Sequence, residues 1–80
     1  VRVDKFLKVS RIIVRRTVAK EASEAGRVKI NSKIAKPGDE VKVGDILEID
    51  FGNRLFKAKI LEVKDNVSKS EASSLYEVIK

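Results

Sequence analysis

Within the stretch from Arg15 to Asn31, RRTVAKEASEAGRVKIN, the spacing of apolar residues changes from helical to alternating across Gly26. Upstream, Val18, Ala19, Ala22 and Ala25 form one apolar stripe, with Lys20, Glu21, Ser23 and Glu24 off it. Thr17 is expected to cap this helix, because its hydroxyl can accept a bond from a first-turn amide that has no partner inside the helix. Gly26 is expected to close it in the left-handed conformation. A helix this short is unstable by itself. It must pack on something, and the segment just upstream is the available partner.

That segment predicts a first helix. Val1–Val3 is β-prone, Asp4 is placed as an N-cap that also favours the helix dipole, and Phe6 and Leu7 point inward. Ile12, Ile13 and Val14 read as core plugs in a tight turn between the two helices. On this reading an Asp at Leu7 or at Val18 would bury an unpaired charge and unfold the domain.

After Gly26 come strands and turns. Arg27–Ile30 reads as a strand, Asn31-Ser32 as its turn and Lys33–Ala35 as the return; Pro37-Gly38 and Gly44-Asp45 are further turns. Ile46–Phe51 is the next strand and Gly52-Asn53 a two-residue hairpin loop. Arg54–Val63 is the longest strand candidate, with Leu55, Ala58, Ile60 and Leu61 near its core side and a bulge where the alternation slips. Ser68–Glu71 has capping-box spacing for a short helical turn, before Leu75–Ile79 ends the chain as a strand. The expected fold is α+β: two short N-terminal helices packed on a small, twisted, mostly antiparallel sheet.

Composition narrows function. At 80 residues the chain makes one small domain with a modest core, and it has no Cys and no His. The thiolate nucleophile, the common neutral-pH base and the usual zinc ligands are therefore absent. Asp39-Glu40 and Asp45 lie at turns, where acids are common as caps, and the four glycines make no phosphate-cradling loop. Neither catalysis nor a cofactor nor a metal is expected. No apolar run has membrane length and no signal-peptide pattern is visible, so a cytoplasmic protein without a membrane partner is the default. Val1 in place of an initiator Met implies a longer translated product.

Charge is segregated. Residues 1–36 carry eleven Lys or Arg against three acids, a net of +8, whereas residues 37–80 have a net of −2. The N-terminal half is thus expected to face a polyanion, with nucleic acid the leading class. Arg11, Arg15 and Arg16 crowd near a helix start whose free amides already favour anions. Lys20 lies one turn on, and Arg2, Lys5 and Lys8 can share the surface if the helices pack together. Lys29, Lys42, Lys57, Lys59, Lys64 and Lys69 read as ordinary solvated residues. None of Phe6, Phe51, Phe56 and Tyr76 interleaves with the basic cluster, so recognition of folded RNA by shape and phosphate position is favoured over base stacking.

These residues carry a resemblance. Arg2-x-Asp4-Lys5-Phe6-Leu7, Ser10-Arg11, Arg16-Thr17-x-Ala19, Ala25-Gly26-Arg27-Val28-x-Ile30-Asn31 and Val41-x-x-Gly44-Asp45 are similar to the S4 RNA-binding domain family. Residues 1–51 would be its core motif and 52–80 a C-terminal hairpin and strand extension of the same single domain. The short stand-alone bacterial members of that family are the most similar. The resemblance implies a ribosome-associated monomer that binds obstructed large ribosomal subunits, touching ribosomal RNA and peptidyl-tRNA. It also implies support for alanine tailing of stalled chains beside a larger tRNA-recruiting factor. It assigns RNA contacts to Arg2, Lys5, Lys8, Arg11, Arg15, Arg16, Thr17, Lys20, Asn31 and Lys33, of which Asn31 and Lys33 come from the resemblance alone. The family usually has Gly where this chain has Ser32, which predicts a steric cost in that turn. Two other readings stay open: an RNA-targeting module of an RNA-modifying enzyme or tRNA synthetase, and a module that meets an acidic protein.

Overall fold

The computed structural model describes residues 1–79. Two helices, α1 (Val3–Val9) and α2 (Arg16–Glu24), precede strands β1 (Val28–Ile30), β2 (Lys33–Ile34), β3 (Ile46–Asp50), β4 (Leu55–Ile60) and β5 (Tyr76–Val78). All pair antiparallel in the order β2-β1-β3-β4-β5, so β4 and β5 complete the sheet that β1 and β3 begin. Phe6 and Leu7 of α1, Ala19 of α2, and Val28, Leu47, Ile49 and Ile60 of the strands meet in one core with Leu75. The expected α+β architecture is the observed one.

Helix ends follow local chemistry. Gly26 adopts φ +75°, its amide donates to Ser23 O and the Arg27 amide donates to Ala22 O, the paired bonds of a Schellman stop. The start of α2 differs from expectation. Arg15, in extended conformation, is the N-cap and no side chain caps the helix, so Thr17 lies inside the first turn. Asp4 is likewise inside α1, with Arg2 as the N-cap. Its carboxylate is directed to basic partners described below.

The stripe on α2 is rotated from its predicted line. Ala19 and Ser23 are the buried positions, while Val18 is 45% exposed. Ser23 can face inward because its hydroxyl donates to Ala19 O at 2.9 Å, which leaves no unpaired polar group. Of the turn residues between the helices, Ile13 is buried, Ile12 partly so and Val14 exposed.

The sheet ends earlier than predicted at β4. Ala58 and Ile60 are buried but Leu55 and Leu61 are exposed. The amides of Leu61 and Glu62 both donate to Leu75 O, at 2.8 and 3.2 Å. Two residues against one is the count of a bulge, and it stops the regular ladder at Ile60. Serine and glutamate at 68–71 make no capping box; a 3-10 turn, Ala72–Leu75, takes that place with no side-chain cap. The strand expected from Leu75 therefore starts at Tyr76.

At the β1–β2 hairpin Asn31 and Ser32 both have positive φ, +51° and +70°. That is the requirement of a two-residue type I′ turn, which twists with the strands it joins. Asn31 tethers the turn: its Nδ2 donates to Asp45 Oδ1 at 3.0 Å, and its Oδ1 accepts the Ile46 amide at 2.9 Å.

Candidate nucleic-acid interface

The buried carboxylate of Asp4 organises the basic face. It accepts the Lys5 amide at 2.8 Å and lies 3.5 Å from Arg16 Nε and 3.8 Å from Arg2 Nε. Both guanidiniums remain about half exposed while the carboxylate is only 4% exposed. One negative charge between two positive groups relieves their repulsion and draws them together, yet at these distances it forms no hydrogen bond with either and leaves their donors free for a ligand. The turn at Gly38 lies beside the Arg2 guanidinium, close enough that a Cβ there would be in van der Waals contact with Nη2 at 3.6 Å.

Arg16 stands at the junction of two surface depressions. One, of about 300 Å³, is lined by Arg2, Asp4, Arg16, Thr17 and Lys20. The other, of about 260 Å³, brings Lys5, Lys8, Arg11 and Arg16 together with Val9 and Val14. Seven of the ten residues expected to contact RNA, six cations and the hydroxyl-bearing Thr17, thus line two depressions that share Arg16. That count comprises Arg2, Lys5, Lys8, Arg11, Arg16, Lys20 and Thr17. The helices achieve this because Arg16 and Lys20 fall one turn apart on α2, and Lys5 and Lys8 three residues apart on α1.

Three of the expected residues lie elsewhere. Arg15 is exposed at the start of α2 and lines neither depression. Lys33 borders a separate hollow with Asp39 and Glu40. Asn31 uses both ends of its side-chain amide inside the fold.

Arg11 ends α1 with φ +61°, a left-handed conformation more usual for glycine, and its amide donates to Lys8 O at 3.0 Å. Residues 65–67 return across the chain to close the second depression, and Asp65 Oδ1 sits 3.7 Å from Lys5 Nζ. Neither feature has a local sequence signal. Asp65 is some sixty positions from Lys5, and an arginine gives no notice of a left-handed stop.

The opposite edge of α2 is different in kind. Val18, Ala22 and Ala25 border a larger, mostly apolar groove of about 400 Å³ with Ile12, Ile13 and Phe51, and among the described residues Arg27 is the one cation that lines it, beside Glu21 and Asp50. The helix therefore divides a basic side from an apolar side.

A basic helical face backed by an antiparallel sheet defines the class, and the S4 domain matches residues 1–47. The chain belongs to the S4 domain family. It is 54% identical over 78 residues to the RQC P-site tRNA stabilizing factor of Streptococcus pneumoniae (strain ATCC BAA-255 / R6), covering 98% of this chain and 89% of that one. A protein of the same name from Halalkalibacterium halodurans is 57% identical over 79 residues, covering 99% and 90%. Among solved structures, the trimeric Heat Shock Protein 15 of Vibrio cholerae matches with a TM-score of 0.90 at 30% identity, over 99% of this chain and 81% of that one.

Proposed function

We propose that this chain is a non-catalytic RNA-binding factor of ribosome-associated quality control. In this reading it binds obstructed large ribosomal subunits in the cytoplasm, contacts ribosomal RNA and peptidyl-tRNA, and supports alanine tailing of the stalled chain. The names of its relatives speak of stabilizing P-site tRNA, which fits a factor that holds a tRNA rather than modifies it. A larger tRNA-recruiting factor is the proposed protein partner, and the chain acts as a monomer on the subunit.

One observation carries the reading: Arg16, half exposed and anchored on Asp4, is shared by two basic depressions that face out from the helices. Two adjoining cationic hollows suit two RNA segments or one segment that bends across both. RNA contacts are proposed for Arg2, Lys5, Lys8, Arg11, Arg15, Arg16, Thr17, Lys20, Asn31 and Lys33, with the residues of the two depressions that share Arg16 dominant.

The test is co-sedimentation with large subunits that carry peptidyl-tRNA. Wild-type chain is expected in the ribosomal fraction, and its affinity should fall by roughly a thousandfold between ~50 and ~200 mM salt if about six phosphates are engaged. Arg16→Ala should still fold and melt cooperatively, at a somewhat lower temperature because Asp4 loses its nearer partner, and should weaken binding so that less protein enters the ribosomal fraction. Sedimentation of that variant at wild-type levels would falsify the proposal.

A further inference from the structure

The depression next to α1 contains groups for which a phosphate has no use. Val14 is 61% exposed there, and Val9 and Val67 join it among cations. Asp65 brings a negative charge to the same hollow, where it would repel a backbone phosphate. Its carboxylate is 77% exposed, and a surface pair with Lys5 at 3.7 Å holds it only weakly, so most of its acceptor capacity is open. Asn66 adds an amide to the rim.

Cations beside apolar side chains, a carboxylate and an amide are the complement of a whole nucleotide. The hollow, about 260 Å³, lies just under the usual range of small-molecule pockets, so it has room for a single planar group and not for the edge of a helix. Unpaired bases in RNA are recognised by packing against side-chain faces and by hydrogen bonds to the Watson–Crick edge. Aromatic platforms are missing here, but the branched aliphatic side chains provide a smaller apolar surface against which a base can pack.

We propose that this hollow takes one unpaired nucleotide of the bound RNA, its base against Val14 and Val67, its phosphates on Lys8 and Arg11, and that Asp65 selects guanine. Only guanine presents two adjacent donors, N1–H and the 2-amino group, to a carboxylate. Adenine and cytosine place an acceptor beside their amino group, and uracil flanks its one donor with two acceptors. The inference rests on the RNA-binding reading above and adds base choice to it.

Fluorescence anisotropy of the full chain tests it, with labelled RNA hairpins that differ only at one bulged position: guanine, adenine, an abasic site, or no bulge. Guanine should bind tightest, roughly tenfold over adenine at equal salt. Asp65→Asn should tighten binding to the unbulged hairpin, since a negative charge is removed, and yet bring guanine and adenine level. Val14→Ser should reduce the advantage of any bulged base over the abasic site. Equal affinity of the wild type for all four hairpins overturns the nucleotide pocket and leaves RNA binding standing. Binding to none of them at ~50 mM salt overturns RNA binding and the pocket together. A guanine preference that survives Asp65→Asn removes Asp65 as the selector.

Discussion

Asp4 and Arg16 meet across the two helices at 3.5 Å, a carboxylate out of water against a guanidinium half in it. Counting charge alone, Asp4→Asn would improve binding to RNA, because net charge rises by one. The geometry predicts the reverse. Without the carboxylate, Arg2 and Arg16 repel each other and lose the charge that draws them together, so affinity for large subunits should fall about tenfold despite the added charge. Stability should fall by only about 1–2 kcal/mol, less than for a wholly buried pair, because both cations can turn to water. Filter binding and thermal melting on the same preparation check the two effects, and tighter binding by the variant would remove Asp4 from its positioning role.

Arg11 couples strain to binding. Its left-handed backbone costs a non-glycine residue about 1–2 kcal/mol, partly offset because glycine loses more entropy on folding. Arg11→Gly should therefore leave stability unchanged or raise it by up to about 1 kcal/mol, while RNA affinity drops and the salt slope loses about one ion. A shift of the urea midpoint to higher denaturant at constant m-value, alongside a shallower salt dependence, is the expected pair of results. Falling stability with unaltered RNA binding would assign Arg11 to the fold alone.

The hairpin turn offers a cleaner strain test. Ser32 holds φ +70° where glycine is favoured, and its neighbour Asn31 supplies the tether to Asp45 and Ile46. Ser32→Gly should stabilise the domain by about 1 kcal/mol, which at this size raises the melting temperature by roughly 4–8 °C. Asn31→Ala should act the other way, by about 1–2 kcal/mol, through loss of two hydrogen bonds. Calorimetry on both single variants and the double variant would show whether the tether and the turn act independently.

Legibility followed the range of the interactions involved. Gly26 and the hairpin loops were readable because a left-handed residue or a two-residue loop is decided by its own neighbours. Thr17 was not, since Arg16 pairs with Asp4 of the other helix and the helix takes Arg15 as its cap without any hydroxyl. Ser23 was misplaced because its bond to Ala19 O satisfies a hydroxyl that periodicity counts as polar. At the site, the crowding of Arg11 and Arg16 could be read from charge, whereas Arg15, expected in the same cluster, lines neither depression. The carboxylate between Arg2 and Arg16, and the return of Asp65 over Lys5, depend on tertiary contacts that local spacing does not encode.

Leu7 and Val18 separate the core from its rim. Both belong to apolar helical patterns, and both were expected to be intolerant of a carboxylate. Leu7 is wholly buried in α1, so Leu7→Asp places a charge among Phe6, Leu47 and Ile60 with nothing to pair it, and the domain should not fold. Val18 is 45% exposed at the mouth of the apolar groove, and it occupies the third position of α2. There an aspartate reaches water and favours the helix dipole, which offsets the lost apolar contact. Val18→Asp should therefore cost at most about 1 kcal/mol and retain a cooperative melt. Circular dichroism of the two variants decides the matter: a flat trace for Leu7→Asp beside a sigmoidal one for Val18→Asp puts the core boundary between Ala19 and Val18, and two flat traces would move it outward.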